Sequence, residues 1–244
     1  MVTELSATSF GDFHKIVYEN SAYMYRGVSN IEYPLIPKVA REWHLSANLL
    51  KMSEELMLNE FRTRAVLYLQ KRPESILEWL SLAQHHGMPT RLLDWTRNPL
   101  VALHFACRAN RDNDGAVYFA RNIRKQDLTD NDDPFEIDDT VWVPEHITER
   151  LAAQDGLFTI SKDPLEPFTK GIELRVIITK ESKPIIMRTL AKYGIHSGTL
   201  FPGLDGLSEY IADYHFLLKG YKDKAEVIEF IKQERLRRKG EEWS

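Results

Sequence analysis

The sequence predicts an α+β fold in a single domain, and two patterns predict it. Helical and extended stretches follow each other irregularly, without the regular strand and helix alternation that builds a doubly wound parallel sheet. The 244 residues, 43% of them hydrophobic, suffice for one generous core, and no low-complexity linker or internal repeat divides them.

Taken in order, residues 22–26 read as a strand that runs into Tyr25-Arg26-Gly27. A helix is expected over residues 53–69. Another starts at Pro73 and stops at Gly87, because Ile76, Leu77, Leu80 and Ala83 fall three and four apart and share one face. Residues 86–97 then join two helices as a loop, unless Arg91-Leu92-Leu93 forms a short strand. Asn98-Pro99 is the clearest helix start, a capping side chain followed by a proline whose missing N–H costs nothing in the first turn. Leu100, Val101, Leu103, Phe105 and Ala106 supply its apolar residues, and the polar turn 110–115 separates it from a buried strand over 116–120. Further strands are expected over 140–143, 157–160 and 172–179, the last rich in β-branched residues. A short helical segment carries Arg150 and Gln154, and a longer helix spans 182–193 with Gly194 as its stop. Asp205 is expected to cap the helix that follows it, and an amphipathic helix over 222–238 starts from Asp223. The acidic run 127–139 reads as a solvated insertion, since it lacks the central glycine and terminal glutamate of a calcium loop.

Composition narrows the function. With 32 Lys+Arg against 36 Asp+Glu the formal charge is −4, which argues against a general electrostatic coat for nucleic acid and leaves room for a local basic groove. No apolar run approaches the length of a membrane span, so the expectation is a cytoplasmic protein that does not enter membranes. The lone cysteine, Cys107, excludes an internal disulfide framework and a cysteine-clustered zinc site, and reads as an inert packed thiol. There is no phosphate-cradling G-x-x-x-x-G-K, and Gly194-Ile195-His196-Ser197-Gly198 lacks the G-x-S-x-G order of a nucleophile elbow.

Chemistry-bearing residues gather in a few places. Arg26, at a strand end beside a glycine that permits close backbone approach, can fork two hydrogen bonds to a phosphate or carboxylate, or serve as a surface ion-pair residue. The segment 84–96 packs two histidines, an arginine, an aspartate and two hydroxyls between helices. There Asp94 and Thr96 suit either a site or simple turn and capping bonds, and adjacent His85 and His86 make a poor metal pair. Glu173 opens the strand over 172–179.

Together, Tyr25-Arg26-Gly27, the segment 84–96 with its following 98–106, the segment 150–160 and the segment 199–207 resemble the FRG domain, which is named after the first motif. The resemblance covers about residues 20–210 of a single domain, with a C-terminal helical extension at about 215–240. The motif order is similar to that of the ADP-ribosyltransferase superfamily, where an arginine on the first strand holds NAD. There a later strand passes through a small hydroxyl-bearing turn into a helix of the pattern N/S-P-x-x-A-x-x-F-A. Arg26 matches the first position, and Asp94-Trp95-Thr96 followed by Asn98-Pro99 is similar to the second, with Asp94 and Trp95 replacing small hydroxyl residues. Three residues compete for the catalytic position: Glu173 at a strand start, Gln154 in an R-x-x-x-Q strand entry, and Asp205 in a family motif.

The resemblance implies a split mixed or antiparallel sheet with flanking helices, NAD as substrate and no metal. Cleaving the nicotinamide–ribose bond develops positive charge at the ribose, which calls for a nearby anion and a cationic grip on the pyrophosphate. Arg26 with Arg91 would supply the grip, Gly27 close backbone approach, and Asp94 or Glu173 the anion. His85 would hydrogen-bond ribose or act as a base, Tyr25 or Trp95 would stack on a ring, and Thr96 and Asp205 would complete the binding shell. The implied function is transfer of ADP-ribose from NAD to a macromolecule, nucleic acid ahead of protein. A non-catalytic nucleotide or nucleic-acid binding module and an NAD glycohydrolase are the alternatives. A bacterial antiphage or toxin setting, with a neutralising or regulatory protein partner, is also what the resemblance suggests.

Overall fold

The computed structural model describes residues 2–41, 46–121, 132–144, 148–216 and 224–241. Strand β1 (Thr3–Ala7), helix α1 (Phe10–Glu19) and β2 (Met24–Val28) are followed by helices α2 (Ala47–Ala65) and α3 (Ile76–His85). Then come β3 (Leu93–Thr96), α4 (Pro99–Cys107), β4 (Gly115–Ala120), β5 (Thr140–Trp142), α5 (Glu149–Ala153), β6 (Gly156–Ile160) and β7 (Ile172–Ile178). Helices α6 (Lys183–Lys192), α7 (Ser197–Leu200), α8 (Leu204–Phe216) and α9 (Lys224–Glu241) complete the chain.

The strands form one mixed sheet in the order β1-β7-β4-β2-β3-β6-β5, with β1 parallel to β7 and the other neighbours antiparallel. The fold is thus α+β, as the sequence predicts. Strands β2 and β4 pair over five residues and β3 and β6 over four, whereas β2 and β3 share a single position, Tyr25 opposite Thr96. The sheet therefore opens between β2 and β3, and Arg26 stands at the opening.

Burial follows the period of two along each strand. Tyr25, Val117, Phe119, Leu174, Val176 and Ile178 pack under α1, α4 and α6. On the opposite face Met24, Val28, Ala116 and Ala120 meet Leu93, Trp95 and Leu157. Phe158 and Ile160 turn instead to a third cluster with α2 and α3, around Leu58, Trp79 and Leu80. Helix α4 begins where Asn98 accepts a hydrogen bond from the Leu100 N–H at 2.9 Å and Pro99 takes the first turn.

Several boundaries differ from expectation. Strand β1 carries almost no apolar signal, because four of its five residues are exposed and its place comes from pairing with β7. The loop expected over 86–97 ends in a strand, and that strand is Leu93–Thr96 rather than Arg91-Leu92-Leu93, since Arg91 is drawn into the interior by Glu54. Asp205 does not cap α8: the helix already starts at Leu204, and Asp205 lies in its first turn, where a carboxylate suits the helix dipole. The expected cap Asp223 and residues 127–131 of the acidic run lie outside the described residues. Among the described residues no helix is long and apolar enough to cross a membrane.

Candidate functional site

Arg26 occupies the point where β2 and β3 part. Its guanidinium donates to the main-chain carbonyl of Asp94 across the opening, and Nη1 lies 3.9 Å from the Asp94 carboxylate. The side chain is only 11% exposed, and its Nε has no hydrogen-bond partner among the described residues. Burial pulls the guanidinium down to about 10, with Asp94 opposing and the nearby Arg41 adding to the fall, so it is still a full cation at neutral pH.

From Arg26 a cleft of about 530 Å³ runs between the end of β2 and the C-terminal end of α4. Two further arginines line it, Arg41 and Arg108, together with the rings of Tyr33 and Phe105. Arg108 is held by Glu209 of α8 at 2.5 Å and lies 4.5 Å over the ring of Phe201. Arg150 from α5 lies over the same ring at 4.7 Å, so one phenyl group carries two guanidinium groups. Burial lowers Arg150 from its ordinary value, with Asp94 acting against the fall and Arg108 with it, which places Arg150 in the field of both.

Asp94 is exposed and oriented. Strand alternation turns Leu93 and Trp95 into the core and leaves Asp94 on the other side, where the Gln84 amide donates to Oδ1 at 2.7 Å. The Thr90 hydroxyl donates to Gln84 in turn. His85, the last residue of α3, is pushed below its usual value by burial, with His86 and Arg150 adding to the effect, and is therefore neutral at pH 7. The Thr96 hydroxyl donates to the Gln154 carbonyl at 2.6 Å and accepts from the Asn98 N–H at 3.0 Å, locking β3 to the α5–β6 turn and to the start of α4.

The structure thus brings Arg26 and Asp94 together, with His85 nearby, and engages other expected residues differently. Arg91 is not at the cleft: it pairs with Glu54 at 2.6 Å in the interior, with side-chain exposures of 1% and 2%. Trp95 is buried, its indole donating to the Thr159 hydroxyl at 3.0 Å, and Tyr25 is buried edge-on against Phe119, so both rings are packed in the core. Glu173 pairs with Arg121 at 3.4 Å on β7, which β4 separates from β2. Gln154 has its amide committed to the Leu200 carbonyl at 3.0 Å, and Asp205 is exposed on α8. Gly27 lines the cleft and also permits close packing, since a Cβ there would stand 1.9 Å from the Ala102 carbonyl oxygen of α4.

Sequence reasoning missed Gln84 as the residue that orients Asp94, and the Phe201 platform, although both sit inside segments already singled out. Arg41 and Arg108 carry no signal of that kind, being single arginines that only the fold delivers to the cleft. The four segments that resemble one family converge here, through Arg26, Gln84 with Asp94, Arg150, and Phe201. The fold and site define an α+β domain with an arginine-lined cleft at a parting of its sheet. Residues 21–115 match the model of the FRG domain, a stretch that contains Arg26, Arg41, Gln84, Asp94 and Arg108. No curated protein and no solved structure matches the chain significantly.

Proposed function

We propose that the cleft binds NAD and that the protein transfers its ADP-ribose to a macromolecular acceptor, nucleic acid ahead of protein. The carrying observation is the buried, charged Arg26 at the parting of β2 and β3, with an unpartnered Nε, beside an Asp94 carboxylate that Gln84 holds in place. A pyrophosphate takes planar, forked donors, and Arg26, Arg41 and Arg108 supply them along one cleft. In the reaction the bond between nicotinamide and the ribose C1′ breaks, and nicotinamide leaves with the bonding pair. A lone pair of the acceptor forms the new bond to C1′, and the acceptor's proton passes to a base, for which neutral His85 is suited. Asp94 would stabilise the positive charge that develops at C1′. NAD and nucleic acid meet in the cytoplasm, the compartment this reading requires, and such an activity suits a toxin or antiphage system with a neutralising protein partner.

A second reading, a binding module without turnover, is favoured by two observations: Glu173 is engaged by Arg121 away from the cleft, and the Gln154 amide is engaged by Leu200. The test incubates the full chain with NAD labelled in its adenylate phosphate, alone and with DNA, RNA or protein. Label transfer that Arg26→Ala abolishes supports the proposal, while Arg26→Lys, which keeps charge and loses the fork, weakens NAD binding by about tenfold or more. Nicotinamide release without an acceptor makes the protein a glycohydrolase, and binding without turnover leaves the module. NAD that is neither bound nor consumed refutes all three.

A further inference from the structure

A second cavity, of about 670 Å³, lies between α6, the start of α7, α8 and α9, and shares no lining residue with the arginine cleft. One wall is a ladder of rings. His196 stacks on Tyr210 with centroids 3.9 Å apart and planes 21° from parallel, Tyr210 stands 6.2 Å from Tyr214, and Tyr214 stands 6.1 Å from Phe230 of α9. From α6, Arg188 and Lys192 also line the cavity, one helical turn apart. Among the described residues neither cation has a carboxylate partner, whereas the one carboxylate on the wall, Asp213, is taken by Arg111 at 3.2 Å. Among the described residues these two cations therefore remain without a carboxylate on this wall, while Glu234 acts on Tyr214.

One buried polar group points to an occupant. Ser197 lines the cavity, is 2% exposed, and its hydroxyl has no partner among the described residues. His196 beside it is half-buried and turns its side chain to the first turn of α7 in a capping box. A buried hydroxyl left unpaired costs free energy, and folded proteins rarely leave one beside a cavity unless a ligand or water completes it. The volume lies in the range of small-molecule sites, which combine apolar and aromatic walls with a few placed polar groups. A ring system finds a stacking surface in the ladder, an anionic group finds Arg188 and Lys192, and a hydrogen-bonding edge finds the Ser197 hydroxyl.

We propose that this cavity is a second ligand site, built for a planar aromatic ring that bears one anionic group, of the nucleoside monophosphate kind. It is separate from the arginine cleft and does not depend on the reading given to that cleft. Calorimetric titration of the full chain uses AMP as the first probe and the aromatic sulfonate 1-anilinonaphthalene-8-sulfonate as the second. Adenosine, which lacks the anion, and inorganic phosphate, which lacks the ring, separate the two contributions. The expected result is saturable one-to-one binding of at least one aromatic anion that survives Arg26→Ala and weakens tenfold or more in Arg188→Glu, with adenosine and phosphate each at least tenfold weaker. Phe230→Ala should weaken it similarly. If that variant unseats α9, Arg188→Glu still decides, because it alters only a partly exposed surface residue. Absence of saturable binding of either probe, binding lost in Arg26→Ala, or binding indifferent to Arg188→Glu overturns the proposal.

Discussion

Gly27→Ala is a substitution for which the structure sets a large penalty for a single added carbon. Gly27 lies on β2 where α4 crosses it, and the new methyl carbon would sit 1.9 Å from the Ala102 carbonyl oxygen, 2.7 Å from the Ala106 nitrogen and 2.9 Å from the Ala102 carbonyl carbon. These are main-chain atoms of a helix, so no side-chain rotation relieves them. Reaching ordinary contact requires β2 and α4 to separate by about 1.5 Å. Helix α4 cannot follow freely, because Ala102, Leu103, Ala106 and Cys107 are packed in the core beneath α1 and α6. Overpacking costs about 1–3 kcal/mol where neighbours give way, and a rigid helix backbone puts this case at about 3 kcal/mol or more. For a domain of this size that is a fall in Tm of roughly 6–12 °C, read by circular dichroism melting. Gly11→Ala is the control: in α1 its methyl would meet only the Ser9 hydroxyl at 3.7 Å, so the change should be neutral or stabilising by up to about 1 kcal/mol. A Gly27→Ala protein melting within about 2 °C of the parent would refute the reasoning.

Other outcomes follow from buried polar groups. Arg91→Ala strands the Glu54 carboxylate in the interior and also removes donors to the Pro134 and Ser161 carbonyls, so urea unfolding should show a loss of about 3–5 kcal/mol. His104 is wholly buried without a hydrogen-bond partner among the described residues, and burial pushes it from 6.5 down to about 3, with Arg108 and His196 contributing. The unfolded chain therefore takes up a proton at this residue that the native state refuses. Stability falls as pH drops from about 6.5 toward 3, by at most about 1.4 kcal/mol per pH unit, and urea unfolding of His104→Leu should lack that part of the slope. Cys107 is 1% exposed and its thiol is pushed up to about 12 by burial, so a disulfide reagent at about pH 8 should label it only after denaturant is added.

Legibility in the sequence tracked how local the physics is. The Asn98-Pro99 start of α4 and the β-branched strand β7 are set by neighbouring residues, and both stand where expected. Strand β1 was illegible because an exposed edge strand paired on one side needs no apolar alternation. In the site, the motifs singled out Arg26 and Asp94, and the structure places the two side by side across β2 and β3. Arg91 illustrates the limit. An arginine beside a turn looks like a ligand grip, and only the tertiary fold reveals Glu54 opposite it, on a helix 37 positions earlier. Trp95 fails for a related reason: its neighbour Asp94 points out, so the alternation of β3 turns the indole inward.

The same alternation explains why the Tyr25-Arg26-Gly27 motif holds together as a unit. Along β2 successive residues face opposite sides, so Tyr25 and Gly27 meet α4 and its core while Arg26 faces the parting of the sheet. Gly27 lines the cleft and also serves it through packing. Its missing side chain, with that of Gly115, whose Cβ would stand 2.4 Å from the Ala106 oxygen, lets α4 lie against β2 and β4. That close approach brings Phe105 and Arg108, at the far end of α4, into the same cleft as Arg26. Glu209 on α8 then fixes Arg108 over Phe201, where Arg150 joins it. A larger residue at position 27 would therefore shift Arg108 relative to Arg26 and alter the cleft wall itself. The loss of cleft function should accordingly accompany the loss of stability in Gly27→Ala, whereas Arg26→Ala should separate the two.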